Sequence, residues 1–297
     1  MSTGLRALWD VPAPAKLNLF LHVVGRRADG YHLLQSPFVL IDWCDTLHFE
    51  RREDGQIRRH DLGEPLPEDD LCLRAARLLQ QESGSTLGAD ISVDKRLPSG
   101  AGMGGGSSDA ATVLLALNRL WGLRWPRERL LALAPALGAD VPFFVGGRNA
   151  FVEGIGERLT PIELPPQWFA VVKPPVSIPT KAIFESPLLA RDTKPVILAG
   201  FLADPTLWAS DAAGECNLHN DLQPPAESRA PEVKAVARWL EERFGNSRMT
   251  GSGSAVFARA GMGDQPVATW LAEDLPPGWV GRLCRSLPAH PLAGWAD

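Results

Sequence analysis

The sequence predicts an α+β protein of two domains. Three observations carry this. The chain has 297 residues, long for one hydrophobic core. Apolar spacing switches repeatedly between a period of two and the helical spacing. Around residues 154–166 the texture turns to loop and proline, which places a boundary between residues 1–158 and 159–297.

In the first part, residues 15–24 read AKLNLFLHVV. Leu17, Leu19 and Leu21 fall on one face, Lys16, Asn18, Phe20 and His22 on the other, so one strand is expected. The alternation sets a lysine and an asparagine side by side. GRRADGYH is a turn around Asp29-Gly30. SPFVLI and TLHFE are strand-like, and RREDGQIRRHDLGEPLPEDD is a polar hairpin and loop. LCLRAARLLQQE has helical spacing through Leu71, Ala75, Leu78 and Leu79, and ADISVDKRL is again a strand. SSDAATVLLALNRLWG is a strong helix, with Ser107 or Ser108 as N-cap, Asp109 in the first turn and Gly122 past its end. PRERLLALAPALG is a second helix closed by Gly138, and GADVPFFVGG a turn and short apolar stretch.

The second part opens with the strand WFAVVKPP. APEVKAVARWLEERFG is an amphipathic helix with Val233, Val236, Ala237 and Leu240 inward and Gly245 as cap. MTGSGSAVFAR is a glycine turn and strand, QPVATWLAEDL a helix and WVGRLCRSL a strand. This alternation suits a small α+β sandwich.

Composition narrows the function classes. Hydrophobic residues make up 45% and charged residues 22%, and no apolar run approaches the roughly 20 residues a membrane span needs. The opening MSTGLRALWDVPAPAK lacks the features of a secretory signal, so the cytoplasm is the default. Cys44, Cys72, Cys216 and Cys284 lie far apart, with no zinc spacing. A net charge of −5 argues against a nucleic-acid partner.

The chemistry concentrates in LPSGAGMGGGSSDAA, residues 97–111. It satisfies GxGxxG formally, but a dinucleotide fold needs a second strand after the helix, and another helix follows. A Walker loop needs a lysine after the glycines, and none is there. The protein-kinase motifs HRD and DFG are missing. A plain linker does not need serines and an acid at the mouth of a helix. Glycines that turn backbone N–H groups inward, followed by a helix N-terminus, suit a bound phosphate.

Residues 98–110 resemble the second motif of the GHMP kinases, with a proline, spaced glycines and then Ser-Ser-x-Ala. TGSGSAVF at residues 250–257 resembles their third. The resemblance runs from Pro14 to Ala258 and takes in LGADVPFFVGGRNAFVEGIGE, VSIPTKAIF and NDLQPPA. It narrows to the branch that phosphorylates the 2-hydroxyl of cytidine diphosphate-linked methylerythritol on the non-mevalonate route to isoprenoid precursors.

The resemblance implies a ribosomal-protein-like N-terminal domain, a ferredoxin-like C-terminal sandwich and an active-site cleft between them. It implies Asp140 as general base and Lys16 as the cation beside it, roles that phosphoryl transfer requires. ATP would lie over Pro98, Ser99, Gly100, Ala101, Gly102, Met103, Gly104, Gly105, Gly106, Ser107 and Ser108. Lys95 and Pro98 would border the adenine. Tyr31, the chain's only tyrosine, would hold the cytidine with His32 and Phe184. Asn18 and Thr180 would also meet the acceptor, Lys181 would reach its phosphates, and Asp70, Leu71 and Leu73 would form another wall. The loop departs from many relatives at Ala101 and Met103, and from some at Asp109. Magnesium is expected with ATP, its protein ligands unassigned.

Two other readings stay open. One is a different small-molecule kinase of the family, of homoserine or mevalonate type, whose substrate has no base to stack. The other is a non-catalytic nucleotide sensor on the same fold. An RNA-binding role for the first part is disfavoured by the acidic balance, a membrane partner is not expected, and either a monomer or a homodimer fits.

Overall fold

The computed structural model describes residues 5–203, 218–267 and 274–296. Its first sheet has seven strands around one long spine. These are β1 (Ala7–Asn18), β2 (His22–Arg26), β3 (His32–Arg52), β4 (Ile57–Asp61), β5 (Gly88–Asp94), β6 (Ala150–Gly154) and β7 (Arg158–Pro161). SPFVLI and TLHFE both lie in the 21-residue β3. One edge of β3 carries β2 and β1, and the other carries β6 and β5. Helices α1 (Leu71–Ser83), α2 (Gly105–Leu120), α3 (Arg127–Leu133) and α4 (Val141–Gly146) belong to this part.

Four local expectations change. The strand expected over residues 15–24 breaks after Asn18. Leu19, Phe20 and Leu21 are all buried, so no face is left for water, and Leu21 bonds to residues 219 and 221 instead of β3. β4 is not half of a hairpin. It pairs parallel to β5 across α1, a crossover that a short turn cannot make. α2 starts before the serines, at a left-handed Gly104 with no side-chain cap, and the Ser108 hydroxyl donates instead to the Pro14 carbonyl at 2.7 Å. The apolar stretch after Asp140 is α4, with a proline in its first turn where a missing N–H is harmless.

The second sheet runs β11-β8-β10-β9 and is antiparallel throughout. Its strands are β8 (Gln167–Lys173), β9 (Arg248–Met249), β10 (Val256–Met262) and β11 (Val280–Arg285). With it come α5 (Thr180–Phe184), α6 (Leu198–Ala203), α7 (Gln223–Arg229) and α8 (Pro231–Phe244). Val233, Val236, Ala237 and Leu240 of α8 are buried as the spacing requires, and Gly245 caps the helix. The helix expected at residues 265–275 lies largely outside the described residues.

Alternation along the strands sorts the core into layers. Phe38 and Leu40 of β3 face α1, α2 and α4, whereas Val39, Ile41 and Trp43 face Phe169 and Val171 of β8. Ala170 and Val172 of β8 face α8. The order is therefore helices, first sheet, second sheet, helix. β1 is an edge strand, so Pro12 and Pro14 remove no ladder bond on its open side. Further along that edge, the Lys16 N–H donates to the Met103 carbonyl at 3.0 Å. The glycine run is thereby fastened to the strand that carries Lys16. Among the described residues no helix is long and apolar enough to cross a membrane.

Candidate active site

Two glycine turns meet where the two sheets come together. Gly100, Gly102 and Gly104 all have positive φ, and so has Gly251 in the turn of residues 250–254. A Cβ on Gly251 would stand 2.6 Å from the Gly102 carbonyl oxygen, and one on Gly102 would overlap the Thr250 carbonyl. Only bare backbone fits there. The contact is closed by Ser254 N–H donating to the Gly100 carbonyl and Ala255 N–H to that of Ala101, both at 3.1 Å. Ala101 and Met103 point into the core beneath the loop.

Lys16 lies beside these turns. Its ammonium is buried, 3.6 Å from Oδ2 of Asp140, and donates to Oδ1 of Asn18 at 2.5 Å. It also stands 4.6 Å from the centre of the Phe38 ring. Burial lowers its pKa against the pull of Asp140. Asp140 sits at the N-terminal end of α4 with its side chain 31% exposed, so its carboxylate is open to the cleft. Asn18 is more a fastening than a free ligand. Its Oδ1 also accepts from Gly251 N–H (2.9 Å) and the Thr250 hydroxyl (3.3 Å), and its amide donates to Ser36 Oγ at 2.8 Å.

A cleft of about 920 Å³ opens from this pair. Asn18, Gly102, Gly104 and Ser107 line it near Lys16 and Asp140, and Tyr31, His32, Thr180, Lys181 and Phe184 also line it. Tyr31 is exposed. His32 stacks on Phe184 with ring centres 5.0 Å apart and planes at 28°. Burial, then the charges of Arg191 and Arg26, lowers the His32 pKa. The Thr180 and Ser252 hydroxyls are bonded to each other at 2.7 Å, joining α5 to the second glycine turn.

Other expected residues lie away from this cleft. The Lys95 ammonium sits between the buried carboxylates of Asp45 and Asp109, 2.6 Å from the latter. Burial raises the Asp109 pKa despite that lysine, and Asp45 adds to the rise. Asp70 caps α1 through the Leu73 N–H and pairs with Arg59; Leu71 packs against the core between α1, α2 and the first sheet, and Leu73 is buried. Pro98, Ser99, Gly105 and Gly106 follow the loop outside the cleft walls. Arg26, Asp29 and Arg191 line the cleft. They were missed because no spacing distinguishes a binding arginine from a surface one. Only the resemblance drew attention to their neighbours.

The phosphate reading fits what is present: bare backbone at two turns and the N-terminus of a 16-residue helix. Among the described residues no group of three or more His, Cys, Asp or Glu could hold a metal, and Ser108 is buried with its hydroxyl donating to the Pro14 carbonyl.

A buried lysine against a carboxylate, beside a glycine cradle and a cleft, defines a phosphotransferase of the GHMP type. The family models agree: GHMP kinases N terminal domain matches residues 70–148 and GHMP kinases C terminal matches residues 204–265. The chain is 66% identical over 294 residues to the 4-diphosphocytidyl-2-C-methyl-D-erythritol kinase of Methylibium petroleiphilum, covering 99% of both chains. It is 54% identical to that of Variovorax paradoxus, over 98% of this chain and 100% of the relative. A crystal structure of 4-(cytidine 5'-diphospho)-2C-methyl-D-erythritol kinase superposes with a TM-score of 0.71 at 39% identity, over 84% of this chain and 89% of that one. This chain belongs to the 4-diphosphocytidyl-2-C-methyl-D-erythritol kinase family. It is a small-molecule kinase with ATP as phosphoryl donor.

Proposed function

We propose that the chain transfers the γ-phosphoryl group of ATP to the 2-hydroxyl of 4-diphosphocytidyl-2-C-methyl-D-erythritol, in the supply of isoprenoid precursors. The observation that carries this reading is one cleft with the Lys16–Asp140 pair in one wall and Tyr31 beside the His32–Phe184 stack in another. A cytosine ring suits flat faces of this kind, and neither homoserine nor mevalonate has such a ring.

In this reading Asp140 takes the hydroxyl proton, the oxygen forms a bond to the γ-phosphorus, and the bond to the β–γ bridging oxygen breaks to release ADP. Lys16 orients the Asp140 carboxylate from 3.6 Å away and, being desolvated, opposes the charge that grows on the transferred group. The glycine turns and α2 hold the phosphates. Asn18 keeps Lys16 in place. Lys95 supports α2 from beneath by bridging Asp45 and Asp109. Magnesium would accompany the nucleotide and would supply charge neutralisation at its phosphates. The two separate sheets support a division into two domains near residue 158, with β7 joined to the first sheet. A cytoplasmic setting, in which ATP is at hand, accords with this reading.

A coupled ADP-release assay tests it. Turnover is expected with the cytidyl alcohol and not with homoserine or mevalonate. Turnover on homoserine alone overturns it. Asp140→Asn is expected to lose about 10²–10⁴ of turnover.

A further inference from the structure

We infer that Arg191 is a positioning residue for substrate selection: it fixes His32 as the neutral Nδ1–H tautomer and so decides which edge of a base the imidazole can donate to. This rests on the cytidine reading of the cleft.

The argument begins with what a guanidinium can do. It donates and never accepts. Arg191 Nε–H points at His32 Nε2 at 3.2 Å, so Nε2 must carry its lone pair. A neutral imidazole then has its proton on Nδ1. The arginine is not free to swing away. Nη2 donates to the carbonyls of Phe184 and Ser186, and Nη1 to that of Leu189, all at 3.0 Å. The carbonyls orient the fork, and the remaining Nε–H faces the histidine. The same clamp folds residues 184–191 back on themselves, which holds the Phe184 ring against His32.

These bonds also argue against Arg191 as a phosphate ligand, because three of its other donors are already used. The charged groups around the imidazole are Arg191 beyond α5, Arg26 opposite it in β2, Asp29 in the intervening turn, Lys181 on α5 and Glu185 just past its end. Both arginines oppose an imidazolium, and the ring stays neutral below the usual histidine range.

Among the described residues Nδ1 has no hydrogen-bond partner, and His32 lines the cleft. A fixed N–H donor there fits a ring nitrogen that accepts, as N3 of cytosine does. Uracil has an N–H at that position, and two donors would face each other. The other tautomer would reverse the preference.

The experiment uses the full chain, ¹⁵N-labelled at histidine, with His32 assigned by comparison with His32→Gln. In the parent, the His32 nitrogens are expected to show Nδ1 protonated and Nε2 not at pH 8. The opposite pattern in the parent overturns the inference without any variant. In Arg191→Met the two tautomers are expected to mix, and the His32 titration to move up. CDP should bind the parent about ten- to a hundredfold more tightly than UDP, and this ratio should fall towards one in Arg191→Met. KM for the cytidyl substrate should rise while kcat changes less than about threefold. A variant that keeps both the tautomer and the CDP preference removes the role of Arg191 and leaves the cytidine reading standing. A parent that binds UDP as well as CDP overturns the cytidine reading itself.

Discussion

Replacing Lys16 by methionine separates what the site does for catalysis from what it does for folding. The two side chains are similar in length, so the cavity beside the Phe38 ring stays filled. What disappears is a buried charge 3.6 Å from Asp140. Removing one preorganised donor of this kind lowers turnover about 10²–10³-fold. Stability should not fall with it. Burial of the ammonium outweighs the attraction of Asp140, so the Lys16 pKa lies below its unfolded value of 10.5. Below that folded value the lysine carries a full penalty. The unfolded chain binds the proton more tightly, so the penalty shrinks as pH rises through the folded pKa towards 10.5. Methionine removes it at every pH. Asn18 Oδ1 keeps the Gly251 N–H and the Thr250 hydroxyl, and the partly exposed Asp140 can be hydrated, so neither group is orphaned. Removing one partner of a buried ion pair costs about 3–5 kcal/mol where the other charge is left buried, but Asp140 is 31% exposed and stays hydrated. That cost is therefore largely avoided, and the variant is expected within about 2 kcal/mol of the parent. Urea unfolding at pH 7 and pH 10, beside the ADP-release assay, measures both effects. The parent should gain on Lys16→Met as pH rises. A variant less stable by more than about 2 kcal/mol, or one within tenfold of parental turnover, refutes the reasoning.

Two further outcomes follow from the same geometry. Gly102→Ala combines a left-handed φ of 74° with overlap on the opposite turn, and should cost about 2–5 kcal/mol. Gly106→Ala, whose Cβ would find its nearest neighbour at 3.7 Å, should leave the urea midpoint almost unmoved. The buried His290 accepts from Leu292 N–H through Nδ1, and among the described residues its other ring nitrogen has no partner. Burial, with Arg127 nearby, pushes its pKa down to about 3 from 6.5. Its contribution is present above pH 6.5 and is lost as pH falls towards 3, about 2 kcal/mol of it by pH 5. His290→Asn, which keeps an acceptor for Leu292, should flatten stability between pH 7 and pH 5 by that amount. An unchanged slope would show that His290 is not the acid-sensitive group.

Much of this was legible because it is periodic or contiguous. Alternation alone placed Lys16 beside Asn18, and helical spacing found α1, α2 and α8. The glycine run announced a close backbone approach. Pairings between distant segments left no such trace. Nothing local says that Asp45, Lys95 and Asp109 share a buried site, or that Arg191 reaches back to His32. The Ser107 or Ser108 cap was a reasonable expectation from residue type. It failed because a left-handed Gly104 starts the helix earlier and Pro14 takes the Ser108 hydroxyl. The strand break at residues 19–21 was hidden for a related reason. Apolar residues on both faces look like a strand with one exception, and here they mark the chain passing between two layers.

The site also depends on both sheets being docked. Lys16 lies on β1, but the asparagine oxygen that holds it is shared with Gly251 N–H and the Thr250 hydroxyl from the second part of the chain. That turn is anchored from a third direction, since Asn220 donates to the carbonyls of Met249 and Gly251 at 2.7 and 2.9 Å. Asn220 in turn belongs to the segment that pairs with Leu21 at the break in the first strand. The irregular step at residues 19–21 therefore has a structural reason. Had the strand run on to Val24, Leu21 would not meet residues 219–221, and the second glycine turn would lose one of its fixings against the first. A shift of either turn moves Asn18 before it moves anything in the cleft. The orientation of Lys16 towards Asp140 is thus set by contacts distributed over residues 18 to 251, and neither sheet alone supplies it.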